Sequence, residues 1–273
     1  MVQNSLSQPA LAVIQSYLHL PIPGHDISCP YYNNRRQHVR GALRVMVGKG
    51  SVKDIVGETK ILLLKEKLDL NKLSDEQLKQ FLVDRHVGTD CSALAYYVLD
   101  AELRAQKKSG LRTHVRWQNG NPWRRLMRKL RPVENTNVDT LADDRNSIRV
   151  ELKDIQSGDL IIMQGFGPNH DRDHVLVVHQ TEPLLRKEGY TPPKAEGGVV
   201  DSMVVHYTHA LQWLSDGKYN HGVRQGKIEI VDTHKSLLDQ LWTEQNVTGE
   251  SNETWRHAKD AGRLEIRRLR ALQ

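Results

Sequence analysis

The chain has 273 residues and is 38% hydrophobic, which is long enough to bury a core without disulfide staples. Its two cysteines, Cys29 and Cys91, exclude a disulfide scaffold and a four-cysteine zinc site. Lys and Arg number 39 against 33 Asp and Glu, and this net charge of +6 permits an anionic partner without demanding one.

No apolar run approaches the ~18 residues of a membrane span. The first 30 residues have no basic start and no sustained apolar core, so they make a poor secretory signal. The expected compartment is the cytoplasm, with non-classical export as the alternative. Pro21, Pro23, Gly24 and Pro30 predict an irregular lead-in. Residues 35–66 show helical periodicity in two pieces: Val39, Leu43 and Val47 before GKGS, and Ile55, Leu62 and Leu63 after it. Ser51 is the expected N-cap of the second piece, with Asp54 in the capping-box position. Ser74, followed by Asp75, Glu76 and Gln77, starts a helix that buries Leu78, Phe81 and Leu82.

In GTDCSALAYYVLDAELRAQ, the spacing of Leu94, Tyr97, Val98 and Ala101 predicts a buried helix stripe. Gly88-Thr89-Asp90 reads as its turn and cap, so Cys91 falls at or just before the first turn. Residues 104–131 are basic, with Lys107, Arg112, Arg116, Arg124, Arg125 and Arg128 among them and Trp117 and Trp123 interleaved. Residues 134–147 read as a polar surface loop. Strand patterns follow. IRVELKDIQSGDLIIM reads as two strands about a turn at Ser157-Gly158-Asp159, and HVLVVHQ, VVDSMVVHYTHA and GKIEIVD supply three more. The tail RLEIRRLRAL fits a strand or a helix equally. Helices first and strands after predict an α+β fold, with N-terminal helices packed on a C-terminal antiparallel sheet.

The chemistry turns on Cys91. A free thiol titrates near ~8.5, and a helix N-terminus lowers that value because its unpaired N–H groups and dipole stabilise the thiolate. A lone cysteine in a helix is more often a small buried hydrophobe. The flanking Asp90 and Ser92 and the cap position shift that balance. A thiolate nucleophile needs a base, and His174 opens the strand HVLVVHQ beside the polar loop GPNHDRD. His179 alternates onto the opposite face, and His170 lies in the loop. His206 and His209 lie on opposite faces of the next strand, and either is a candidate to orient the base.

Taken in order, GTDCSALAYYVLD, SGDLIIM, HVLVVH and a strand ending YTHA resemble the NlpC-type cell-wall peptidases of the papain-like superfamily. The resemblance covers roughly residues 88–100 and 157–231. It implies a papain-like, NlpC-like fold with Cys91 as nucleophile, His174 as general base and His209 orienting the imidazole. It also implies a tyrosine near the oxyanion site, which CPYYNN could supply as Tyr31 or Tyr32; His206 and Asp90 are further candidates for the third position or for substrate contact. The implied substrate is a peptide of the peptidoglycan type and the implied source bacterial or phage. The corresponding division is a helical extension over 1–87 and a catalytic domain over 88–273, with a basic insertion at about 104–147.

No H-E-x-x-H, G-x-x-x-x-G-K-S/T or G-x-G-x-x-G is present, so neither a metal nor a nucleotide cofactor is expected. The competing expectation is a non-catalytic binding module on the same fold. Its basic insertion would grip an anionic polymer, nucleic acid or cell wall.

Overall fold

The structure, a computed structural model, describes residues 4–33, 44–106, 108–117, 126, 128–184 and 202–273. The chain is α+β, and its contacts group it into two compact units. One comprises Ser7–Asn146 and His209–Arg224 and is mostly helical; the other comprises Met1–Leu6, Ser147–Thr208 and Gln225–Gln273 and is built on a sheet. Helices on both sides of residues 87/88 share the first of these units.

The helical unit contains α1 (Gln8–Leu18), α2 (Val52–Lys65), α3 (Asp75–Asp84), α4 (Cys91–Ala105) and α5 (Val138–Ala142). Two of the helix starts follow from local chemistry. At α2, Ser51 Oγ accepts the Asp54 N–H at 3.2 Å while Asp54 accepts the Ser51 N–H at 3.0 Å. At α3, Ser74 and Gln77 form the same reciprocal pair at 3.2 and 2.8 Å. Each such cap is worth ~1 kcal/mol because it satisfies N–H groups the helix cannot. Leu78, Phe81 and Leu82 are buried along α3 as expected.

Four local expectations need correction or completion. The buried side of α4 is wider than one stripe. Leu94, Ala95, Val98, Leu99 and Leu103 are fully buried, whereas Tyr97 and Ala101 are half-buried. A helix covered on more than one side loses its single apolar stripe, and α1 is one of the elements packed on α4. Residues 134–147 are not simply a loop: they hold α5, whose N-cap Asn137 accepts the Thr140 N–H at 3.0 Å. Val47 ends a short 3-10 turn over Val45–Val47, and the helical expectation at Val39 and Leu43 falls outside the described residues. So do Lys107, Trp123, Arg124 and Arg125.

The sheet contains β1 (Ser147–Val150), β2 (Leu160–Phe166), β3 (Arg172–Pro183), β4 (Met203–Leu211), β5 (Gly222–Ile230), β6 (Leu241–Glu244), β7 (Val247–Thr248) and β8 (Arg263–Leu269). Helix α6 (Glu253–Asp260) precedes β8. The strand order is β1-β8-β2-β3-β4-β5-β6-β7. The ambiguous tail is therefore a strand. It lies between β1 and β2, pairing Arg268 with Ile148 on one side and Ile266 with Ile161 on the other. Asp159 helps to hold that arrangement. It is fully buried, and its carboxylate accepts from Arg268 Nε and Nη2 at 2.7 and 2.9 Å and from the Gln156 N–H at 2.9 Å. Burial pushes the Asp159 carboxyl upward, and the Arg268 guanidinium pulls it back.

One face of the sheet carries Ile161, Met163, Leu176, Val178, Tyr207, Ile228 and Trp242 in a single core, with Ala258 and Trp255 of α6 packed into it. Leu160 to Met163 are all fully buried, so β2 is covered on both faces and reads as a continuous apolar run. Among the described residues, no helix is long and apolar enough to cross a membrane.

Candidate active site at the start of α4

Cys91 is the first residue of α4 and is buried. Asp90 is the N-cap; its side chain accepts the Ala93 N–H at 2.7 Å and the Ser92 hydroxyl at 2.9 Å. Lys49 completes the cap. Its ammonium lies 2.8 Å from Asp90 Oδ2 and donates to Ser92 Oγ at 2.5 Å and to the Thr136 carbonyl at 3.1 Å. Asp90 thus both caps the helix and pairs with Lys49.

The residues before Cys91 are held on two sides. Thr89 bridges Tyr31 in parallel and Lys49 in antiparallel fashion. The Thr89 N–H donates to Pro30 O at 2.9 Å, the Tyr32 N–H to Thr89 O at 3.0 Å, and the Asp90 N–H to Gly48 O at 2.8 Å. Tyr31 and Tyr32, remote in sequence, therefore run beside the two residues that precede Cys91. The glycines of this ribbon are required by close approach. A Cβ at Gly48, whose φ is +72°, would sit 2.2 Å from Tyr32 O, and one at Gly88 would sit 2.4 Å from Pro30 O.

Beside Tyr31 and Tyr32 lies a small pocket of about 60 Å³, lined also by His86 and His221. The Tyr31 N–H donates to His221 Nδ1 at 3.2 Å, which places the proton of the neutral ring on Nε2. The Tyr32 and His86 rings are 5.3 Å apart. Sequence reasoning missed His221. No motif surrounds it, and the only local signal is the turn before β5. Burial, with the Lys79 ammonium adding to it, depresses His221 to about 4. A histidine ordinarily titrates near ~6.5, so the folded state favours the neutral ring. The stability this contributes is whole above ~6.5 and is lost as pH falls towards 4. His179 on β3 is depressed to about 4 for the same first reason, burial, and then by His206. We expect the unfolding free energy of His221→Gln to fall by about 2–3 kcal/mol less between pH 7.5 and 4.5 than that of the wild type. Urea unfolding at the two pH values measures this, and equal losses would remove His221 as a source of acid sensitivity.

In the sheet unit, His174 is buried on β3, pairs in register with Met163 of β2 and alternates onto the side of Leu176 and Val178. His209, which lies on β4 but is grouped with the helical unit, is fully buried. His206 alternates to the face of β4 away from Val205 and Tyr207. There its Nε2 lies 3.0 Å from Glu182 Oε1 and its ring 6.0 Å from that of His179. A bulge at His179 interrupts the β3–β4 register between Val178 and Gln180. His170 sits at the β2–β3 turn with Nδ1 2.8 Å from Gly165 O.

Cys29 is the second cysteine. It is fully buried, and burial pushes its thiol up to about 12, against a smaller opposing pull from Lys79. Neither cysteine forms a disulfide. Among the described residues, no three His, Cys, Asp or Glu side chains are grouped to hold a metal ion. In the basic segment, acids from the flanks match part of the charge: Asp100 pairs with Arg104 at 2.7 Å and Glu134 with Arg131 at 3.2 Å.

No family model, curated protein or solved structure matches this chain.

Proposed function

We propose that the protein is a cysteine hydrolase of the papain-like, NlpC-like type that cleaves an amide bond, in peptides of the peptidoglycan kind. The observation that carries this reading is the seat of Cys91. A thiol at the first position of a capped 15-residue helix is placed where unpaired N–H groups and the helix dipole favour the thiolate. Support also comes from Tyr31 and Tyr32, held beside residues 88–90, and from the order of the four motifs along the chain.

In this reading His174 takes the Cys91 proton and the sulfur attacks the substrate carbonyl carbon. The oxyanion of the tetrahedral intermediate is met by N–H groups at the start of α4. The C–N bond breaks, and the leaving amine takes the proton from His174. Water, deprotonated by His174, then hydrolyses the thioester and returns the thiol. His209 orients the His174 ring.

The test has two arms. At pH 7, iodoacetamide is expected to label Cys91 at least about tenfold faster than a small free thiol, while Cys29 stays unlabelled as an internal control. Incubation with peptidoglycan-derived peptides is expected to release new amines detectable by mass spectrometry. Labelling of Cys91 no faster than a free thiol, together with no cleavage, would overturn the reading in favour of a binding module.

A further inference from the structure

We infer that Lys49 is the positioning residue of the Cys91 site, cancelling the charge of the Asp90 cap so that the sulfur does not share its helix terminus with an uncompensated anion. The inference rests on the reading of Cys91 as nucleophile.

The geometry is that of a buried, fully subscribed ammonium. Lys49 and Asp90 are only 7% and 8% exposed, and Ser92 and Thr136 are 4% and 1% exposed. Around Lys49 Nζ stand Asp90 Oδ2 at 2.8 Å, Asp90 Oδ1 at 3.1 Å, Ser92 Oγ at 2.5 Å and Thr136 O at 3.1 Å. Three N–H donors meet three groups, the carboxylate taking a shared bond. An aspartate alone suffices to cap a helix. Its charge, however, counters the N-terminal dipole that would favour the thiolate of the very next residue, and like charges at close range suppress each other's ionisation. A buried cation on the carboxylate keeps the cap and removes the conflict.

Arg44 pairs with Glu134 at 2.9 Å, Asp54 is held by Ser51, and the Tyr97 hydroxyl donates to Lys49 O at 3.0 Å. The Thr136 contact also ties the start of α4 to the turn that precedes α5.

The experiment is the pH profile of Cys91 carboxamidomethylation in the full-length protein. It compares wild type, Lys49→Met, Lys49→Arg, Asp90→Asn and the double variant Lys49→Met/Asp90→Asn, with circular dichroism to report folding. The Lys49→Met midpoint is expected to rise by about one pH unit, making alkylation at pH 7 about tenfold slower. Lys49→Arg should stay near wild type, and the double variant should return towards it, since Asn caps as well as Asp without the charge. Asp90→Asn alone should move the midpoint below wild type and below the double variant, because it leaves the Lys49 charge uncompensated; equal midpoints for Asp90→Asn and the double variant would overturn the inference even if Lys49→Met does not fold. A folded Lys49→Met with the wild-type profile, or a double variant as slow as Lys49→Met, would overturn the inference. A wild-type Cys91 that titrates like a free thiol would instead sink the nucleophile reading itself.

Discussion

Under the proposed cysteine-hydrolase mechanism, replacing Cys91 with alanine is expected to abolish amide hydrolysis, by about 10⁴-fold or more in kcat, while leaving the fold in place. In that mechanism the loss would follow from covalent catalysis: without the sulfur no thioester would form, and residual turnover would fall to what binding and an oxyanion site alone can supply. The fold should survive because Cys91 does not make the cap. Asp90 accepts the Ala93 N–H, Lys49 holds Asp90, and the backbone bonds of Thr89 and Asp90 are untouched by the side chain at 91. Alanine is also a better helix former than cysteine. Mass spectrometry of peptide products reads the activity, and circular dichroism with thermal melting reads the fold. Wild-type turnover in a folded Cys91→Ala protein would take the thiol out of the chemistry.

The largest stability effect is expected at Trp242. It is among the largest fully buried side chains, stands opposite Ile228 in register and lies 5.9 Å from the Tyr207 ring. Its Nε1 donates to Leu237 O at 2.9 Å, so the indole fills space and satisfies a turn at once. Trp242→Ala removes both and leaves a cavity in the core face of the sheet, at a cost of about 3–5 kcal/mol. Trp242→Phe keeps most of the volume and loses the hydrogen bond, which is worth ~1 kcal/mol. Urea unfolding followed by far-ultraviolet circular dichroism checks both. An alanine variant within ~1 kcal/mol of wild type would mean that the site collapses without penalty. Because the chain forms two compact units, the transition assigned to the sheet unit is the one to compare.

Local features were legible in the sequence because a few neighbouring residues encode them. Ser51 with Asp54, Ser74 with Gln77, and Asp90 ahead of Cys91 each fix a helix start through bonds spanning three residues. The strands of HVLVVHQ and SGDLIIM declared themselves by apolar runs and a turn. Helix α1 could have been found in the same way, from Pro9 in its first turn and the spacing of Ala10, Ile14 and Tyr17.

What sequence left open depends on partners far along the chain. Nothing near RLEIRRLRAL says that it completes the sheet between β1 and β2. That choice was made by hydrogen bonds from β8 to both neighbours and by the pairing of Arg268 with the buried Asp159, 109 residues away. The same holds at the candidate site. A thiol at a helix start was visible from Asp90-Cys91-Ser92 alone. The Tyr31 bridge to Thr89, the Lys49 ammonium on the cap and the neutral His221 against Tyr31 were decided by tertiary structure. Buried backbone groups and charges must each find a partner, and the partners available lay tens of residues away.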